Sequence, residues 1–123
     1  MQIQALTDIG LKRAVNQDFI FQSIQPVGVF PNLFILADGM GGHRSGDFAS
    51  KYLTETMVGY ISRNKSDDII KVLKSAIGMS NTLVYEKSHS DPALSGMGST
   101  MVAAVIRNGM LTVANVGDSR LYI

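Results

Sequence analysis

The sequence predicts an α+β domain whose strands pair antiparallel. Three observations carry this reading. Strand-like segments lie at both ends of the chain, with two helical stripes between them. The strand links are short and hairpin-like rather than the long crossovers of a parallel βαβ series. Asn108-Gly109 separates two apolar segments, and that dipeptide favours a two-residue hairpin turn.

The elements follow in order. Residues 2–8 alternate weakly and suggest a strand, and residues 18–25 suggest a firmer one. Pro26 and Pro31 bracket a turn, after which residues 32–37 form an apolar run suited to a buried strand. From Asp47 the period changes, and Ala49, Leu53, Thr56/Met57, Tyr60 and Ile61 share one helical stripe. Residues 64–66 break it. Ser66 is the expected N-cap of a second helix, with Asp67 and Asp68 in its first turn. That helix carries Ile69, Leu73, Ala76/Ile77, Ser80 and Leu83/Val84 on one side. Residues 89–98 read as a polar loop, residues 99–107 and 110–115 as strands, and residues 117–119 as a tight turn before a further strand.

Composition sets the outer limits. The 123 residues are enough for one domain that buries about two thirds of its unfolded surface. Apolar residues make up 46%, yet no run approaches the roughly 18 residues of a membrane span. The N-terminus has neither the basic nor the apolar region of a secretory signal, so a cytoplasmic location is expected. Eleven basic and 10 acidic residues are scattered without blocks, which argues against a nucleic-acid stripe or a polybasic membrane patch. The absence of cysteine excludes disulfides and thiolate metal ligands.

Chemistry concentrates where the apolar run of residues 33–37 meets Asp38-Gly39-Met40-Gly41-Gly42-His43. A dinucleotide fingerprint starting at Gly39 would need glycine where Arg44 stands. A P-loop starting at Gly41 would need lysine where Asp47 stands. Asp38 itself would repel phosphate unless a cation lay between. Its carboxylate and the Gly39 carbonyl are hard oxygen donors suited to Mg²⁺ or Mn²⁺. On spacing alone, a metal site and a plain glycine-rich turn stand level.

The other candidates are weaker in isolation. Asp18 opens a strand and reads as a solvated turn residue or a second carboxylate. Arg13 offers a planar fork for phosphate or a simple surface charge. Asp118 sits in Gly117-Asp118-Ser119, a turn at the end of another strand. His43 adjoins the glycine loop and suits an acid, an outer-shell partner or a surface residue equally. His89 has no assigned role, and Met40 and Met97 read as packing.

Four blocks together resemble the metal-dependent protein serine/threonine phosphatases of the PPM (PP2C-like) family, bacterial branch. They are residues 10–18, ending Arg13-Ala14-Val15-Asn16-Gln17-Asp18; Ala37-Asp38-Gly39-Met40-Gly41-Gly42-His43; Gly96-Met97-Gly98-Ser99-Thr100; and Ala114-Asn115-Val116-Gly117-Asp118-Ser119-Arg120. The resemblance implies an α/β/β/α sandwich of two antiparallel sheets flanked by helices. It implies hydrolysis of phosphoserine and phosphothreonine in proteins through a metal-activated water, with two Mn²⁺ or Mg²⁺ ions and a weaker third. Asp38 would bridge two ions, the Gly39 carbonyl would bind one, Asp18 would hold metal-bound water, Asp118 would serve the third ion, and Arg13 would grip the phosphate. Expected partners are phosphorylated proteins and a cognate serine/threonine kinase.

Two departures are small: Gln17 stands where relatives often have glutamate, and Ser99 where threonine is commoner. The third is length. The family's later Ser-Asp-Gly and Asp-Asn ligand blocks do not occur in this chain, so residues 1–123 read as the N-terminal part of one phosphatase domain, about the first half of the sandwich. Little or no turnover is expected of it alone. Strands such as residues 99–107 are expected to expose unpaired edges through which copies self-associate. Two alternatives remain open: a non-catalytic phosphatase-like binding or regulatory module, and one half of a split or swapped sandwich completed by a second chain.

Overall fold

The structure, a computed structural model, describes residues 18–41 and 45–116. Four strands form one sheet in the order β1-β2-β3-β4, every neighbouring pair antiparallel. They are β1 (Asp18–Ser23), β2 (Leu33–Met40), β3 (Gly98–Arg107) and β4 (Met110–Val116). Between β2 and β3 the chain forms α1 (Ser45–Arg63), α2 (Ile69–Ser90) and a short 3-10 turn at Pro92–Leu94. The strands expected at residues 2–8 and 120–123, and the turn at residues 117–119, lie outside the described residues.

Burial alternates along β2, because successive strand side chains point to opposite faces. Leu33, Ile35 and Ala37 are buried and join Met101, Ala103 and Val105 of β3 in one apolar cluster. The helices cover that face. Ala49, Leu53, Met57 and Ile61 of α1 recur every four residues and close the cluster from above. Val72, Leu73, Ala76 and Val84 complete it from α2, which lies chiefly against α1 and touches β3 and β4.

Phe34 and Leu36 of β2 point to the opposite face, in register with Ala104 and Val102 of β3. Beyond them Val113 and Leu111 of β4 are 44% and 41% exposed. Val102 and Ala104 are buried yet stand outside the helix-side cluster. The sheet is therefore apolar on both faces, and among the described residues the helices cover only one. A sheet with two apolar faces is built for a further layer.

Local chemistry explains the boundaries. β1 stops at Ser23, not at residue 25, because the Ser23 hydroxyl donates to the Gln25 carbonyl (2.8 Å) and accepts from the Gln25 amide (3.2 Å), turning the chain. Val27 and Phe30 then exchange both main-chain hydrogen bonds, at 2.8 and 3.0 Å, around Gly28-Val29. Gly28 has a φ of 59°, and a side chain there would strike the Ile61 carbonyl at the end of α1. The buried side chain of Asn32 extends the sheet: its Nδ2 donates to the Ile106 carbonyl (2.7 Å) and its Oδ1 accepts from the Ile106 amide (2.8 Å). Asn108 and Gly109, at φ 54° and 75°, form the expected hairpin turn with both residues left-handed.

Four expectations are corrected. Asp68, not Ser66, caps α2, its carboxylate accepting from the Lys71 amide (3.2 Å) while the Ser66 hydroxyl accepts from the Asp68 amide (3.3 Å). His89 lies in α2 rather than a loop, its ring tilted against that of Tyr85 one turn earlier with centroids 4.2 Å apart. Met97 packs in the core, but Met40 is 50% exposed. The strand at residues 99–107 is paired on both sides, because β4 folds back onto it through the hairpin. Among the described residues the sheet edges belong to β1 and β4.

Candidate metal centre

β2 does not stop at Ala37. It continues through Asp38, Gly39 and Met40, which makes Asp38 a strand residue whose position follows from pairing. Counting along the alternation, Ala37 and Gly39 face the helices and are buried, so Asp38 lies on the other face with Leu36 and Met40. In the β1–β2 register Asp18 is the direct partner of Asp38. In the β2–β3 register the partner is Thr100. Directly opposed residues in an antiparallel ladder project from the same face, with Cβ atoms about 4.5–5.5 Å apart. Asp18, Asp38 and Thr100 thus form one row across three strands, all of them half-buried.

Two like charges in directly opposed positions oppose pairing. A divalent cation between them reverses that sign, and two carboxylates beside a main-chain carbonyl are the oxygen donors that Mg²⁺ and Mn²⁺ accept. The donor set therefore fits a hard cation. It is a partial set: among the described residues no three histidine or acidic side chains form a group able to hold a metal ion.

The surroundings hold this row in place. Gly39 pairs with Ser99, and the Thr100 hydroxyl donates to the Asp38 carbonyl at 3.4 Å. Just past β2, Gly41 adopts a φ of 149°, and a side chain there would collide with the Ser45 hydroxyl at the start of α1. Ser45 is buried. The close approach of Gly41 to Ser45 brings the first turn of α1 to the end of the sheet that carries the two carboxylates.

Of the residues singled out in the sequence, the structure brings together Asp18 and Asp38 and places Gly39 beside them. Arg13, His43 and Asp118 lie outside the described residues, Asp118 two positions beyond the end of β4. Thr100 belongs to the Gly96–Thr100 motif in the sequence, but its place beside Asp38 emerges only from strand pairing. The signal was present in the even spacing between Thr100, Val102 and Ala104, but the face they share is set by pairing with β2.

Comparison with known proteins finds relatives that span nearly all of this chain. The family described as Protein phosphatase 2C matches residues 12–123. A serine/threonine phosphatase of Listeria monocytogenes is 36% identical over 132 residues, covering 100% of this chain and 50% of that protein. The structure of the S. agalactiae serine/threonine phosphatase superposes with a TM-score of 0.81 at 39% identity, covering 94% of this chain and 48% of that one. The catalytic domain of the phosphatase PstP, determined in complex with 2 manganese ions, superposes at 0.76 and 30% identity, over 94% of this chain and 47% of that one. The chain spans about half the length of several of these relatives and 23% of PstP from Mycobacterium tuberculosis. The four-stranded sheet and its two helices correspond to part of the PP2C fold, and the chain belongs to the protein phosphatase 2C family of bacterial serine/threonine phosphatases.

Proposed function

We propose that residues 1–123 form the N-terminal part of a single phosphatase domain that removes phosphate from phosphoserine and phosphothreonine in proteins by metal-dependent hydrolysis. The observation that supports this most directly is the opposition of Asp18 and Asp38 at one end of the β1–β2 ladder. Bound there, divalent cations lower the pKa of water and neutralise phosphoryl charge. Two Mn²⁺ or Mg²⁺ ions, with a weaker third, are the proposed complement.

Within this reading each residue has a separate task. Asp38 and the Gly39 carbonyl would hold the two principal ions, which would supply charge neutralisation and an activated water. Asp18 would hold metal-bound water, and Asp118 would serve the third ion. Arg13 binds the substrate phosphate through its paired N–H groups, a geometry that lysine does not reproduce. His43 acts as a proton donor or as an outer hydrogen-bond partner. The substrates are phosphorylated proteins in the cytoplasm, opposite a cognate serine/threonine kinase.

A chimera tests the proposal. This chain replaces the matching part of the S. agalactiae phosphatase, and phosphate release from a phosphothreonine peptide is measured with Mn²⁺. Release that Asp38→Ala abolishes is the expected result. A folded chimera whose release is indifferent to Asp38 would overturn the reading. The 123-residue chain alone is expected to show little or no turnover.

A further inference from the structure

We infer that Thr100 is a positioning residue for the metal centre, acting on the peptide group that joins Asp38 to Gly39. The inference rests on the metal reading of the Asp18–Asp38 pair given above. Three observations lead to it. Thr100 is the direct cross-strand partner of Asp38. It projects from the same face as Asp38, on the side away from Asp18. Its hydroxyl donates to the Asp38 carbonyl at 3.4 Å, a long hydrogen bond from a side chain to the main chain of the neighbouring strand.

The consequence follows from peptide geometry. The Asp38 carbonyl and the Gly39 nitrogen belong to one planar unit. Fixing that carbonyl fixes the plane, and with it the backbone from which the Asp38 carboxylate and the Gly39 carbonyl project. Glycine needs such restraint, because without a side chain it has more backbone freedom than any other residue. The hydroxyl of a β-branched residue suits the task, since its χ1 is stiff and strand geometry favours it. Thr100 thus restricts at once the two oxygen donors that β2 supplies. Valine at this position would keep the shape and the strand preference while removing the hydrogen bond.

The test uses the isotopically labelled 123-residue chain, MnCl₂ as probe and two nuclear magnetic resonance readouts. The first is the carbonyl carbon resonance of Asp38 without metal. Thr100→Val is expected to move it, and Thr100→Ser to leave it near its original position. The second is paramagnetic broadening during Mn²⁺ titration. Broadening is expected to centre on Asp18, Asp38 and Gly39, to vanish in Asp38→Asn, and to need about tenfold more Mn²⁺ in Thr100→Val. Thr100→Ser restores the original midpoint. Should valine unfold the chain, Thr100→Ala against Thr100→Ser makes the same comparison.

An unmoved Asp38 carbonyl in Thr100→Val, or an unchanged midpoint beside a lost response in Asp38→Asn, would overturn the positioning role while leaving the metal reading intact. Broadening that spares Asp18 and Asp38 in the wild type would overturn the metal reading itself.

Discussion

Asp18 and Asp38 stand directly opposite each other across β1 and β2, on the sheet face away from the helices. Their separation in sequence conceals this relationship. It puts two carboxylates on one side of a ladder that their mutual repulsion would weaken. A site of this kind is stabilised by its ligand, because a cation that binds only the folded chain shifts the folding equilibrium by mass action. Mn²⁺ at ten times its dissociation constant is expected to add about 1.4 kcal/mol. Differential scanning fluorimetry with and without MnCl₂ checks this; Asp18→Asn should reduce the increment and Asp38→Asn should remove it.

Gly41 supplies a second prediction. At its φ of 149° an alanine is strained, and its methyl group would meet the Ser45 hydroxyl. Strain of this type costs about 1–3 kcal/mol. Gly41→Ala is expected to lower stability by that amount and to weaken the Mn²⁺-induced increase in melting temperature, since β2 and the first turn of α1 must separate to admit the methyl. Urea denaturation with and without Mn²⁺ measures both effects.

Asn32 is a case where one buried side chain completes a ladder. It is 2% exposed and satisfies both the amide and the carbonyl of Ile106. Asn32→Ala leaves both main-chain groups without that partner, at a cost of about 2–3 kcal/mol. Chemical denaturation is expected to show a lower midpoint with an unchanged slope. A change under 0.5 kcal/mol, of order of a typical surface substitution, would contradict the role assigned to Asn32.

Ser80 predicts the opposite sign. It is fully buried in α2, and its hydroxyl has no hydrogen-bond partner among the described residues. Ser80→Ala removes a buried polar group and improves helix propensity, so stability should rise by about 1 kcal/mol. The melting temperature would increase by about 4 °C. Mn²⁺ binding should not change, because Ser80 belongs to the helix side of the sheet.

Much of this fold is legible in the sequence because its signals are local. The stripe Ala49, Leu53, Met57 and Ile61 needs only helical periodicity, and Asn108-Gly109 needs only turn chemistry. The site is legible in part. Asp38 and Gly39 are adjacent and end an apolar run, but Asp18 lies in another strand and Thr100 in a third, and register between strands is a long-range property. Boundary errors have similar causes. Ser66 and Asp68 are both good capping residues, and each does accept an amide hydrogen bond; the one nearer the apolar stripe caps the helix. Met40 follows the buried run closely enough to suggest packing, yet the alternation that exposes Asp38 exposes Met40 as well.

The sheet face that no described helix covers accounts for the remaining prediction. Leu111 and Val113 are exposed there, beside the β4 edge. The 123-residue chain is expected to associate as its concentration rises, and Val113→Lys with Leu111→Lys should restore a 13.3 kDa monomer in light scattering. Stability should change little, by about 0.5 kcal/mol or less, because neither residue packs against the helices. A wild-type chain that stays monomeric at every concentration would contradict the association.

The most direct test of the central claim is calorimetric titration of MnCl₂ into the wild-type chain, Asp18→Asn and Asp38→Asn. Both substitutions keep the shape of the side chain and remove its charge. The account predicts measurable Mn²⁺ binding by the wild type, weakened by Asp18→Asn and abolished by Asp38→Asn. Equal binding by all three folded proteins would contradict it.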